Sequence, residues 1–208
     1  MRNDRHDFVR LTNLADSIFA VAMTFLAFTI QVPAPDGEPD GDLARHLGAM
    51  LPQFGTLALS FLIAARLWIL HSNMHRVITR GNDALVALNL VLLFGIVLIL
   101  FSAEVLSLYP LSRLSITIYA ANALLMLGMH VAIWRYARTR PHFFVEDVPP
   151  GYPALMIRHS LQIAAVFIGS IVAGWFVPRA ALYVWALLAP IIFLQARQLS
   201  RMARPARG

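Results

Sequence analysis

Four ionisable residues, Asp16, Arg66, Glu104 and His130, stand within long apolar runs of this chain. A charge or a titratable ring in hydrocarbon is costly, and such residues mark ion paths, proton relays or interhelical ties. Around Asp16 the pattern sharpens. Ser17, Thr24 and Gln31 recur every seven residues, so on a continuous helix they lie along nearly one line. Val21, Phe25 and Phe28 fall on the same side, at offsets of four and three. A stripe that alternates hydroxyl and amide groups with bulky apolar ones suits a water-filled path with hydrophobic constrictions. It equally suits a packed seam whose Ser and Thr bond back to their own backbone. Ala20, Ala22 and Ala27 are small enough for close helix contact. His71 and His75 have the i, i+4 spacing of two metal ligands on one helix face. No glutamate follows His71, however, and no third ligand is evident, so no metal site is assigned. His130 reads as a hydrogen-bonded packing residue. Zero cysteines remove thiolate metal sites, disulfides and a Cys nucleophile. No P-loop, GxSxG or HExxH motif occurs, and no glycine cluster forms a phosphate cradle.

The elements that must position these residues are membrane helices. Of 208 residues, 59% are hydrophobic and only 13% charged, and mean hydropathy is +0.66. That charged fraction is about half that of a soluble domain, which argues against a soluble enzyme and against disorder. A membrane helix needs about 20 apolar residues. Six stretches qualify, at 14–32, 47–70, 84–108, 114–134, 161–177 and 180–194. Pro33 and Pro35 close the first, Pro52 sits in the opening turns of the second, and Pro190 is placed to kink the sixth. The non-membrane stretches 33–46 and 135–160 are too short to fold alone, so one six-span domain over 1–208 is expected.

All 17 basic residues are arginine, and their placement orients the bundle. Arg2, Arg5 and Arg10 precede the first span; Arg76 and Arg80 follow the second; Arg135, Arg138, Arg140 and Arg158 separate the fourth and fifth; Arg197, Arg201, Arg204 and Arg207 form the tail. The opposite side holds only Arg45, Arg113 and Arg179, with the acidic Asp36, Glu38, Asp40 and Asp42. Positive-inside bias therefore predicts both termini in the cytoplasm, in agreement with an even number of spans. The same distribution fits membrane topology better than a nucleic-acid interface, despite a pI near 10.7. Asp4, Asp7 and Asp16 argue against a cleaved signal peptide.

With spans and direction set, a rise of about 1.5 Å per residue gives depth. Asp16 and Arg66 both fall toward the cytoplasmic side, at the level of Trp68, His71 and Asn89, whereas Glu104 falls toward the outside. A polar knot of Asp16, Arg66, Trp68, His71 and Asn89 joining the first three helices is expected. Structural glue between helices would produce the same residues.

The first helix also resembles a known family. Arg10-x-x-x-Leu14-Ala15-Asp16, followed by Ser-Ile-Phe-Ala-Val-Ala-Met-Thr, resembles the Arg-x-x-x-Phe-Ser-Asp signature of the transmembrane protein 175 family of potassium channels. Trp68-Ile-Leu-His71 resembles its Trp-x-x-His, and Asn89-Leu90 with Leu93-Phe94 resembles the start of its third helix. The resemblance covers about the first half of the chain. It implies an all-α homotetramer whose central pore is lined by four copies of the first helix. It also implies a main constriction at Val21, further narrow layers at Phe25 and Phe28, and a threonine layer at Thr24. Arg10 and Asp16, with Trp68, His71 and Asn89, would hold the pore helix against its neighbours. The chain departs from the family at Leu14-Ala15 and in the sizes of Val21, Phe25 and Phe28. No carbonyl-lined filter loop is present. Preference for potassium would then come from dehydration at apolar layers, and weak selectivity over sodium follows.

The resulting expectation is a passive potassium channel of the bacterial inner membrane with no cofactor, its partners being potassium ions, the lipid bilayer and copies of itself. A secondary transporter or proton-coupled cation exchanger, titrating Asp16, His71 and His130, is the alternative. A membrane-embedded enzyme using His71, His75 and Asp83 is the third reading.

Overall fold

The computed structural model describes the backbone of residues 4–32 and 39–202, and side chains of 8–32 and 43–200. Pro33, Pro35, Asp36, Glu38, Asp40 and Asp42 lie outside the described side chains. So do Arg2, Arg5, Arg201, Arg204 and Arg207.

Eight helices occur among the described residues: α1 (Asp4–Phe25), α2 (Pro39–Ala49), α3 (Leu51–Val77), α4 (Asp83–Leu108), α5 (Arg113–Arg138), α6 (Tyr152–Phe176), α7 (Pro178–Ala186) and α8 (Leu188–Met202). Six spans are long and apolar enough to cross a bilayer. They comprise α1 with the turn after it, α3, α4, α5, α6, and α7 with α8 as one broken span. Each arises where apolar residues run for twenty or more positions and backbone groups can be satisfied only within the helix.

The ends differ from the sequence reading in instructive ways. α1 becomes a tight 3₁₀ turn over Leu26–Thr29, and Ile30 is extended. Gln31 therefore leaves the helical line of Ser17 and Thr24. The second span starts at Leu51, with Pro52 in its first turn, and runs on to Val77, past the expected end at residue 70. The separate helix α2 takes in residues 47–49, expected as the start of this span, and part of the expected loop 33–46. α6 begins at Tyr152, two turns before the expected start. Hydropathy trims ends that carry Arg158, His159, His75 or Arg76, but these long polar side chains do not break a helix and reach past the apolar zone. Pro190 is the third residue of α8, so its ring meets the carbonyl of Ala186, and there α7 ends.

The bundle packs in sequence order. α4 lies against α5, α5 against α6, and α6 against α7, with α8 back on α6; α1 lies on α3 and α4. Buried polar pairs tie the layers: Ser60 to Tyr119 at 2.9 Å and Asn122 to Ser102 at 3.2 Å. His130 is fully buried; its Nδ1 pairs with Ser160 Oγ at 2.8 Å, and its Nε2 accepts from Trp134 Nε1 at 3.2 Å. That is the packing role the sequence suggested. Trp134 itself is buried in the core. α4 packs tightly on α5 at Gly95, where a Cβ would stand 2.6 Å from Met126 Cγ. Gly95→Ala is therefore expected to lower the thermal midpoint. Overpacking costs about 1–3 kcal/mol, which outweighs the helix-propensity gain of about 1 kcal/mol. An unchanged or raised midpoint in detergent would contradict this contact.

Candidate functional site

α1 has two faces of opposite fate. Phe8, Leu11, Ala15, Phe19, Ala22 and Leu26 recur at intervals of three and four and are buried against α3 and α4. Phe8 stacks on His75, with centroids 4.8 Å apart, and Phe19 lies 5.7 Å from His71. The remaining face is apolar and uncovered: Val21 is 51% exposed, Phe25 48% and Phe28 75%. Ser17 and Thr24 share it, each donating to a carbonyl one turn back, Asn13 and Ala20 respectively. At 100° per residue, Ser17, Val21, Thr24 and Phe25 fall within an arc of about 100°. Ser17, Val21 and Phe25 also border a cavity of about 370 Å³ between α1 and α4, whose far wall is Val97 and Leu100. The hydroxyl back-bonds are those of a packed seam, yet Ser17 and Thr24 are both exposed.

Gln31 stands apart from this stripe. Its backbone N–H donates to Gln53 Oε1 at 2.9 Å, and its side chain reaches Glu104 Oε1 at 3.5 Å. It thus caps the far end of α1 onto α3 and α4, because the 3₁₀ turn rotates it off the stripe. Phe25 and Phe28 pack edge to face across that turn at 5.6 Å.

The structure brings some members of the expected polar knot into contact. Trp68 Nε1 donates to Asp16 Oδ1 at 2.9 Å, joining α3 to α1. His71 Nε2 pairs with Asn89 Oδ1 at 3.0 Å, joining α3 to α4. Asn89 spends its amide on the Leu85 carbonyl at 2.8 Å, so its oxygen accepts and His71 Nε2 carries the proton. His75 Nδ1 pairs with the Thr12 hydroxyl, and the His71 and His75 rings lie 4.3 Å apart. Both imidazoles are thereby committed to interhelical bonds.

Two members of the knot are misplaced. Arg66 does not meet Asp16: its Nη2 donates to Gln195 Oε1 on α8 at 2.8 Å. The reason is angular. Arg66 and Trp68 are two residues apart, about 200° around a helix, so they cannot serve the same side. Arg10 is exposed and makes no hydrogen bond or ion pair among the described residues. Asp16→Asn is accordingly expected to be mild, since an amide oxygen still accepts from Trp68. Asp16→Ala should cost more, up to about 1 kcal/mol. Unfolding midpoints check this, and a collapse of Asp16→Asn would restore the ion-pair reading.

Around Arg66 the tertiary structure assembles a second cluster that sequence reasoning missed. Gln195 Nε2 donates to the His159 carbonyl at 3.1 Å and to Gln162 Oε1 at 2.9 Å. His159 Nε2 pairs with Gln198 Oε1 at 3.0 Å. Arg66, His159 and Gln195 are buried, and Arg66 Nε and His159 Nδ1 have no partner among the described residues. The available signal was Arg66 itself, since a buried guanidinium requires acceptors.

Comparison with known proteins places these features in context. Residues 10–99 match the family model described as "Endosomal/lysosomal potassium channel TMEM175". "Potassium channel B446_29190" of Streptomyces collinus is 31% identical over 157 residues, spanning 73% of this chain and 75% of that protein. "Potassium channel Cha6605_3372" of Chamaesiphon minutus is 25% identical over 140 residues, spanning 66% and 69%. The fold resembles the crystal structure of "a lysosomal potassium-selective channel TMEM175 homolog from Chamaesiphon Minutus". The TM-score is 0.79 at 20% identity, over 91% of this chain and 98% of that one.

Proposed function

This chain belongs to the TMEM175 family of ion channels, and we propose on that footing that it is a passive potassium channel. Four copies would surround a pore lined by α1, in a bacterial inner membrane, with both termini in the cytoplasm. It is a membrane-spanning channel protein and not an enzyme. The observation that carries the reading is the uncovered stripe of α1. One face of this helix is locked into the subunit by Phe19 and its neighbours, while Ser17, Val21, Thr24, Phe25 and Phe28 remain available. A bilayer would accept Val and Phe there, but it gives no use for hydroxyls repeated on the same arc. A fourfold axis along this face gives both a role. Rings of Val21, Phe25 and Phe28 form dry constrictions, and the Thr24 ring offers oxygens between them.

Selectivity in such a pore comes from dehydration. Potassium sheds water at lower cost than sodium, so an apolar ring favours it modestly. The Thr24 hydroxyl donates to the Ala20 carbonyl and keeps lone pairs that would face the axis of the proposed tetramer. Weak preference for potassium over sodium is the expected outcome. Asp16, Trp68, His71 and Asn89 act as positioning residues, holding the pore helix on α3 and α4.

The test is ion flux into liposomes holding the purified protein, with a protonophore present to collapse proton gradients. Electrogenic potassium uptake exceeding sodium uptake supports the channel. Flux that disappears with the proton gradient would support an exchanger in its place. Silence for both ions from intact protein would leave the family fold without this activity.

A further inference from the structure

An open cavity lies at one end of the bundle, beside the ends of the membrane-spanning segments. It has a volume of about 900 Å³ and is formed where the α3–α4 and α5–α6 connections meet. Its polar lining is Thr79, Arg80, Arg138 and His142, opposed by the single lining carboxylate Glu146, and its apolar walls include Phe144 and Pro149. Neither arginine forms an ion pair among the described residues. They come from different elements, yet they border one space.

The walls are held by main-chain bonds. Ile78 and Phe144 form an antiparallel bridge. Thr79 N–H donates to the Phe143 carbonyl at 3.0 Å, and Val145 N–H donates to the Val77 carbonyl at 2.9 Å. Gly151, at φ 80°, turns the proline-rich segment back into α6, a conformation that favours glycine. Four prolines in the lining limit its movement further. A site so held loses little freedom when it is filled.

We propose that this cavity binds an organic phosphate, with Arg80 and Arg138 gripping the phosphoryl oxygens and Phe144 and Pro149 covering the organic part. Guanidinium forks match phosphate geometry in a bidentate way. The volume suits an organic ligand rather than a bare ion, lying within the range of small-molecule sites at about 300–1,000 Å³. Topology alone explains arginines at this end of the bundle. It does not explain why two of them, unpaired, converge on a rigid cleft, while Arg158 and Arg197 lie elsewhere. The ligand is either a phospholipid headgroup or a soluble phosphate ester. In both cases it would sit on the connection that leads back to His75, whose ring contacts Phe8 and Thr12 of α1.

The experiment uses the full-length protein in phosphatidylcholine nanodiscs, with the thermal midpoint as readout. One arm adds ATP to the solution, and the other replaces part of the lipid with phosphatidylglycerol. A midpoint rise of several degrees in at least one arm is expected, and the responding arm identifies the source. The rise should fall at least threefold in Arg80→Gln/Arg138→Gln and persist in Arg158→Gln/Arg197→Gln. Should the double variant fail to assemble, Arg138→Gln alone, altering one exposed side chain, must show a reduced rise. No rise in either arm overturns the proposal. So does equal loss in both double variants, which would mean bulk electrostatic attraction. The readout needs no ion flux, so a silent channel would not affect it.

Discussion

Val21→Ala should raise cation flux about tenfold and bring the potassium-to-sodium permeability ratio closer to one. Val21 is half exposed at the centre of the α1 stripe, and the substitution removes two methyl groups from every subunit. In the proposed tetramer, one ring would lose several such groups at once. Each buried methylene corresponds to about 0.8 kcal/mol of apolar transfer free energy. A reduction of about 1.4 kcal/mol in the barrier to a hydrated ion is enough for a tenfold change in rate. Selectivity falls with the same change, because a wider ring lets both ions keep more water. Val172→Ala, at an exposed position of α6, serves as control and should leave flux unaltered. Wild-type flux and permeability ratio in Val21→Ala would remove Val21 from the constriction.

The second large effect is on stability. Gln195→Leu should destabilise the protein by about 3 kcal/mol, because it strips a buried guanidinium of its only hydrogen-bond partner among the described residues. It also leaves Gln162 and the His159 carbonyl without the Gln195 amide. Removing both ends of the contact should be far less damaging. Arg66→Met/Gln195→Leu is expected to recover at least about 1 kcal/mol over Gln195→Leu alone, since no buried charge then remains. Denaturant unfolding in detergent of the four proteins of this cycle measures the coupling. Strict additivity would mean that Arg66 finds other partners, water included.

The stripe at Val21 is legible because it depends on a single helix. Residue spacing places Ser17, Val21, Thr24 and Phe25 on one arc wherever that helix sits. The contact of Trp68 with Asp16 and that of His71 with Asn89 were legible at one remove, because span order and direction bring those depths together. The resemblance to a known family pointed to the same residues. The Arg66 cluster was not legible. Depth allowed Arg66 to meet Asp16, and only its azimuth excluded this. Azimuth could have been weighed from the two-residue offset to Trp68, but which helix stood on the other side could not.

The amino-acid sequence by itself determined that the chain crosses a membrane six times, which way its arginines bias it, and which face of α1 alternates hydroxyls with apolar bulk. These follow from local quantities: transfer free energy summed along a run, charge beside it, and a fixed turn of 100° per residue. The tertiary structure decided what those quantities leave free. It chose α8 as the partner of Arg66, turned Gln31 away from the stripe through a 3₁₀ turn, buried Trp134, and brought Arg80 and Arg138 around one cleft. Each of these depends on how helices rotate and slide against one another. That is set by packing among residues distant in sequence, where many registers satisfy the same hydropathy and only one fills the space.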